Sequence, residues 1–164
     1  MDNRIYKYKI LFVCTGNVFR SLSAKYLLDE FLKEKGINNV FVDSAGIIAK
    51  PQNLIFSVVS ELGLLGVDIK DHKQKKLTQE MICNYDLVVA ISKNHQKFIK
   101  DNFNLNVPLF LEIVKNKKED IKDNREVLDN LNGWAEDMYN KSIVRKIYRY
   151  IPEFYNNFEK FIKK

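Results

Sequence analysis

The sequence predicts an α/β fold, a single domain with a central four-stranded parallel sheet flanked by helices. Two patterns carry that expectation: short continuous apolar runs of the kind buried on both faces of a parallel sheet, and stretches of helical periodicity between them. Residues 9–13 (Lys-Ile-Leu-Phe-Val) are the first strand. After a loop around Gly16, Leu22, Tyr26, Leu27, Phe31 and Leu32 recur at helical spacing across 21–35, and Gly36 supplies the stop. Residues 40–43 are a second strand ending in the turn-like Ser44-Ala45-Gly46. A helix over 53–65 closes near Gly66, and a short one over 77–84 has Thr78 as its cap and Glu80 in its first turn. Strand 87–91, helix 93–103 and a fourth strand at 107–113, with Pro108 suited to an edge, complete the alternation. Residues 115–137 are polar and read as a long loop, of a length that is functional or disordered in compact domains. In the terminal helix, 139–161, Ile143, Ile147, Ile151, Phe154, Phe158 and Phe161 form the apolar stripe, with a bend expected at Pro152.

The 164 residues suffice for one domain, 1–164, and are too few for two ordinary ones. Hydrophobic residues at 46% and charged residues at 29% are a globular mixture rather than a disordered one. The net charge of +6 is not gathered into a basic stripe interleaved with aromatics, which argues against nucleic acid as a partner. No apolar run approaches the roughly 20 residues that span a bilayer, so no membrane association is expected. Residues 1–9 lack the apolar core of a signal peptide. Two cysteines, Cys14 and Cys83, are too few for a disulfide scaffold and read as reduced thiols, Cys83 facing inward from its helix. These points together predict a cytoplasmic protein.

Cys14-Thr15-Gly16-Asn17-Val18-Phe19-Arg20-Ser21 lies between the first strand and the first helix. A loop feeding a helix N-terminus presents free backbone N–H groups and the positive end of the helix dipole, a nest for an oxyanion. The same field favours the thiolate of Cys14, the form that attacks. Arg20 can bind two phosphate oxygens through its planar fork. Gly16 lets the backbone turn inward, Ser21 can donate a hydrogen bond to the sulfur, and the stretch Thr15, Gly16, Asn17, Val18 and Phe19 surrounds the phosphate. Cys-x5-Arg alone occurs by chance, with a core cysteine and an exposed arginine as its plain meaning. Its place after a buried strand, with Gly16, Asn17 and Ser21 present, favours a site.

Ile-Leu-Phe-Val-Cys-Thr-Gly-Asn-Val-Phe-Arg-Ser resembles the N-terminal signature of the low-molecular-weight protein tyrosine phosphatases. The resemblance continues in Val-Asp-Ser-Ala-Gly-Ile (42–47), in Gly66-Val-Asp-Ile with Asp71-His72, and in Tyr-Asp-Leu-Val-Val-Ala-Ile-Ser (85–92), in family order. It implies a four-stranded parallel sheet, no metal or other cofactor, and hydrolysis through a cysteinyl phosphate. It also implies that Asn17, Ser44 and His72 hold the phosphate loop by hydrogen bonds; by itself, His72 beside Lys73 reads as a solvated loop residue.

Four features depart from the family. Phe19 stands in place of the loop's second cysteine, so the disulfide within the loop cannot form. Leu22 replaces a proline and Lys25 a glutamate, and the Asp-Pro-aromatic motif of the general acid is absent. A leaving alkoxide or phenolate needs a proton, and a carboxylic acid on a mobile loop is the usual donor. Asp120, Asp123, Asp129 and Asp137 are available. Asp129, in Glu-Val-Leu-Asp-Asn, matches the family's short step to the terminal helix and is the expected acid, with Asp123 as runner-up. Trp134 is read as packing the loop onto the terminal helix rather than as an aromatic wall of the site. An arsenate reductase on this fold needs more cysteines than are present, and a silent phosphate-binding module would keep Arg20 while losing the acid. Val18, apolar and branched at the mouth of the loop, favours phosphotyrosine, whereas a threonine would suggest phosphoarginine. The expected partner is thus a phosphotyrosine protein or a small phosphomonoester, met by a monomer.

Overall fold

A computed structural model describes residues 5–128 and 133–162. β1 (Tyr8–Cys14) is the central strand of a parallel sheet ordered β2-β1-β3, between β2 (Val40–Gly46) and β3 (Leu87–Ala90). Alternation along β1 divides the core into two layers. Ile10 and Phe12 point into the larger one, with α1 (Arg20–Glu34), α2 (Phe56–Leu64), α5 (Phe110–Lys115) and α6 (Gly133–Asn157), while Leu11 and Val13 point into the other. That second layer is closed by Leu77, by Ile82 of α3 (Gln79–Asn84) and by Ile99 of α4 (Lys93–Phe103). Helices therefore flank a parallel sheet on both faces, as the strand and helix periodicities predict.

The expected fourth strand is corrected. Among the described residues the sheet has three strands, and 107–113 contributes one parallel bridge, Ala90 to Leu109. Pro108 brings no N–H to a ladder and only accepts, its carbonyl taking the Ala90 N–H at 3.0 Å. Phe110, Leu111, Ile113 and Val114, spaced for one helical face, then bury themselves as α5. The starts of α1, α2, α3 and α4 hold to within a few residues, and Thr78 caps α3 by accepting from Met81 N at 3.2 Å. Residues 115–137 are less irregular than their composition suggests. They contain a 3-10 turn at Asn124–Glu126, and α6 begins at Gly133, six residues ahead of the expected start. Pro152 is accommodated inside α6, which runs on to Asn157 before a final 3-10 turn at Phe158–Phe161.

Two further readings are corrected. Cys83 is exposed, because α3 touches the core through Ile82, and its Sγ meets Gln79 instead. Trp134 is 75% exposed and does not pack the loop onto α6. No described helix is long and apolar enough to cross a membrane.

Phe12 ties the sheet to two helices, its ring 6.0 Å from Phe110 and 5.1 Å from Phe154 with no solvent exposure. Phe12→Ala is expected to lower the unfolding free energy by about 3–5 kcal/mol, read as a shift of the urea midpoint at constant m-value.

Candidate active site

β1 ends at Cys14 and α1 begins at Arg20, so the intervening loop turns at the carboxyl end of the central strand, where open parallel sheets hold ligands. The turn is made by Asn17, whose φ of 56° is left-handed; a short polar side chain tolerates that region better than most. Its Nδ2 donates to Ser44 Oγ at 2.8 Å and to Ser21 Oγ at 3.1 Å, and its Oδ1 accepts from Lys75 N at 3.0 Å. His72 Nε2–H donates to its carbonyl at 2.9 Å. Asn17, Ser44 and His72 thus meet around the loop. Burial, together with the positive Lys25 and Lys75, lowers the His72 pKa against the hydrogen bond to Asn17.

Ser21 is fully buried, and its Oγ lies 2.9 Å from Cys14 Sγ, so it can donate to the sulfur while Asn17 donates to it. The close approach that glycine permits falls at Gly46 rather than at Gly16. A Cβ on Gly46 would meet Thr15 O at 2.6 Å and Asn17 N at 2.9 Å, whereas one on Gly16 would meet its neighbours at ordinary contact distances of 3.4 and 3.5 Å. Thr15, Gly16 and Val18 are partly exposed at the loop's surface, and Phe19 is buried in the larger core. Phe19 offers no side-chain cap to α1, so it leaves the helix's first amides free of its own side chain.

Arg20 is buried. Its Nη1 donates to Ile121 O at 2.9 Å, its Nη2 lies 3.1 Å from Asp123 Oδ2, and its Nε has no partner among the described residues. Asp123 therefore reaches the site, through Arg20. Asp129 lies outside the described residues.

Sequence reasoning missed a supporting layer. Lys75 Nζ pairs with buried Asp43 at 2.6 Å, and Tyr85 donates to the same carboxylate at 3.0 Å. Burial and that carboxylate raise the Tyr85 pKa far above its ordinary value. His95 Nδ1 accepts from Ser92 N at 3.2 Å, which leaves the proton on Nε2 to be donated to Thr15 Oγ1 at 2.9 Å. Burial, and then the Arg20 charge, push the His95 pKa down to about 3. The Ser92-x-x-His95 spacing at a helix start was the available signal for this contact; the Lys75 bond to Asn17 is made by its backbone and left none.

A strand, a cysteine, a tight loop and an arginine at a helix start define an α/β protein with a Cys-x5-Arg loop at the carboxyl end of its central strand. The sequence profile of the low molecular weight phosphotyrosine protein phosphatases matches residues 9–164, and the chain belongs to that family. It is 34% identical over 90 residues to the protein-arginine-phosphatase of Bacillus subtilis (strain 168), covering 55% of this chain and 59% of that one. To the low molecular weight protein-tyrosine-phosphatase Etp of Escherichia coli (strain K12) it is 36% identical over 87 residues, 52% and 55% of the two chains. These matches span less than two thirds of either relative. In structure it resembles a mutant of YwlE from Bacillus subtilis, with TM-score 0.78, 27% identity, and coverage of 93% and 99%. The fold also resembles the low molecular weight protein tyrosine phosphatase of T. tengcongensis, with TM-score 0.77, 24% identity, and coverage of 92% and 99%.

His95 gives the site a pH signature. Its ordinary value is 6.5, so between about 6.5 and about 3 the unfolded chain takes up a proton that the folded chain refuses. Stability from His95 is complete above the upper value and is lost as pH falls. In His95→Gln, which keeps a donor near Thr15, the fall of Tm from pH 6.5 to pH 4 should be shallower than in the wild type. His72, lowered by burial, contributes with the same sign in both proteins.

Proposed function

We propose that the protein is a cysteine-dependent phosphomonoesterase acting on phosphotyrosine, with Cys14 as nucleophile and Arg20 as the phosphate grip. The observation that carries the reading is the contact of Cys14 Sγ with the buried Ser21 hydroxyl, at the foot of a loop closed by Arg20, whose Nε has no partner among the described residues.

In the proposed scheme the Cys14 thiolate attacks phosphorus in line with the leaving oxygen. An S–P bond forms as the P–O bond to the substrate breaks, and the departing oxygen takes a proton from a carboxylic acid, assigned to Asp129 on its sequence position. Loop amides, the start of α1 and Arg20 hold the equatorial oxygens as charge develops on them. Water then attacks the cysteinyl phosphate and gives a proton to the same carboxylate, and the sulfur leaves as thiolate, accepting a hydrogen bond from Ser21. The scheme uses no metal or cofactor. Both cysteines are free thiols, which supports a reducing, cytoplasmic setting.

An apolar rim supports the aromatic substrate. Ile48, held beside the loop by its N–H to Thr15 O at 3.1 Å, is 64% exposed, and Val18 is partly exposed. Both are apolar residues flanking the loop, which supports an aromatic ring over a guanidinium as the group beside the phosphate. Phosphotyrosine and phosphoarginine peptides assayed side by side should therefore give a higher kcat/KM for phosphotyrosine; the reverse order would reassign the substrate.

Cys14→Ser should abolish hydrolysis of p-nitrophenyl phosphate while the fold survives, because the alcohol is far less ionised than the thiol. Arg20→Lys should be severely impaired, since an ammonium cannot reproduce the two-point grip. Substantial turnover in either variant would overturn the scheme. Asp129→Asn should slow phenyl phosphate by about a hundred- to ten-thousand-fold, the usual effect of losing an acid, and slow a substrate with a good leaving group much less.

A further inference from the structure

We propose that Asp123 is the positioning residue that aims the Arg20 guanidinium at the substrate phosphate, an inference that rests on the phosphate-gripping role of Arg20. A guanidinium carries five N–H donors in a flat fork, two on each Nη and one on Nε. Residues 121–126 take the end where the two Nη groups lie. Ile121 O accepts from Nη1 at 2.9 Å, Asp123 Oδ2 is 3.1 Å from Nη2, and Glu126 Oε2 is 3.7 Å from Nη1. Nε–H lies on the side edge, away from that end. Nε is buried and without a partner among the described residues. Leaving a buried donor unmade is unfavourable, and two parallel N–H groups on that edge match two oxygens of a phosphate.

The carboxylate is presented from a fixed frame rather than from a mobile arm. Ile121 is fully buried, and its N–H donates to Ile91 O at 3.2 Å, next to β3. Tyr139 donates to Lys122 O at 2.9 Å. Asn124 is buried and donates to Glu136 Oε1 at 2.8 Å and to Asn140 Oδ1 at 3.0 Å; Asn140 in turn donates to Ser57 Oγ at 3.2 Å. The stretch is thereby fastened to the sheet, α6 and α2.

Within it both carboxylate oxygens of Asp123 are committed. Oδ1 accepts from Arg125 N at 3.3 Å, Oδ2 pairs with Arg20, and Glu126 Oε2 accepts the Asp123 N–H. The guanidinium is thus one of the two donors that fix this carboxylate. The carboxylate charge also offsets the cost of burying Arg20 while the reactive edge stays open.

The test uses the full chain with Asp123→Asn and Asp123→Glu. Affinity for inorganic phosphate is measured by calorimetry, and kcat/KM for phenyl phosphate and p-nitrophenyl phosphate. Asn keeps an acceptor and loses the charge, so phosphate binding and both kcat/KM values should fall by about tenfold, the lower end for a charged hydrogen bond. The factor should be the same for the two leaving groups. Glu should recover part of the loss, and it provides the same comparison should Asn fold poorly. A larger loss for phenyl phosphate than for p-nitrophenyl phosphate would make Asp123 the acid and overturn the proposal. Unchanged phosphate affinity in both variants would reduce the pair to a structural contact, and tighter phosphate binding would show that Asp123 competes for the site. Because calorimetry needs no turnover, a wild-type protein that binds phosphate without hydrolysing substrates would sink the phosphatase reading and leave this comparison intact.

Discussion

Both amide protons of Asn17, its amide oxygen and its carbonyl oxygen are each engaged, and its backbone sits at a positive φ that few residues accept. Those bonds hold a strained turn in a single shape, and the turn sets where the amides of 15–20 point. An anion nest depends on such direction, because its donors are useful only when they already converge before the anion arrives. The bonds come from four places: Ser21 on α1, Ser44 on β2, and His72 and Lys75 in the connection that follows α2. The cradle is therefore a property of the whole carboxyl edge of the sheet.

Charge around the cradle is arranged with the same economy. Arg20 is buried, which is tolerable because carboxylates and a carbonyl surround one end of it. His95, 2% exposed and close enough to feel that cation, stays neutral and serves as a hydrogen-bond donor to Thr15 rather than as a second positive charge. In the proposed function, the positive end of α1 and the Arg20 guanidinium are then left to meet a phosphate.

How much of this could be read in the residues follows from what each feature leaves in sequence. Strands and helices with continuous or periodic apolar patterns were legible, as was the strand–Cys–loop–Arg–helix order, because burial and loop chemistry constrain residue type directly. The stretch 107–113 misled because Val107, Leu109, Leu111 and Ile113 fit a short strand as well as a helix, and only packing against α6 decides between them. Cys83 misled because the expected helix was longer than α3, whose inward face is carried by Ile82. Asp123 was visible as an aspartate in the right loop but not as a partner of Arg20, since that contact joins residues about a hundred positions apart. Lys75 acts on Asn17 through a backbone N–H, which any residue but proline would supply, so that contact left no signal in the sequence.

Lys75 also shows how far the loop's shape is outsourced. One residue reads Asn17 with its backbone and Asp43 with its ammonium, while Gly46 keeps clear the space into which Thr15 and Asn17 fold. Transplanting the eight residues from Cys14 to Ser21 onto another strand and helix would carry the sulfur and the guanidinium without the cradle. A portable version has to take Ser44, Gly46, His72 and the backbone of residue 75 with it, which in sequence means most of the first half of the chain.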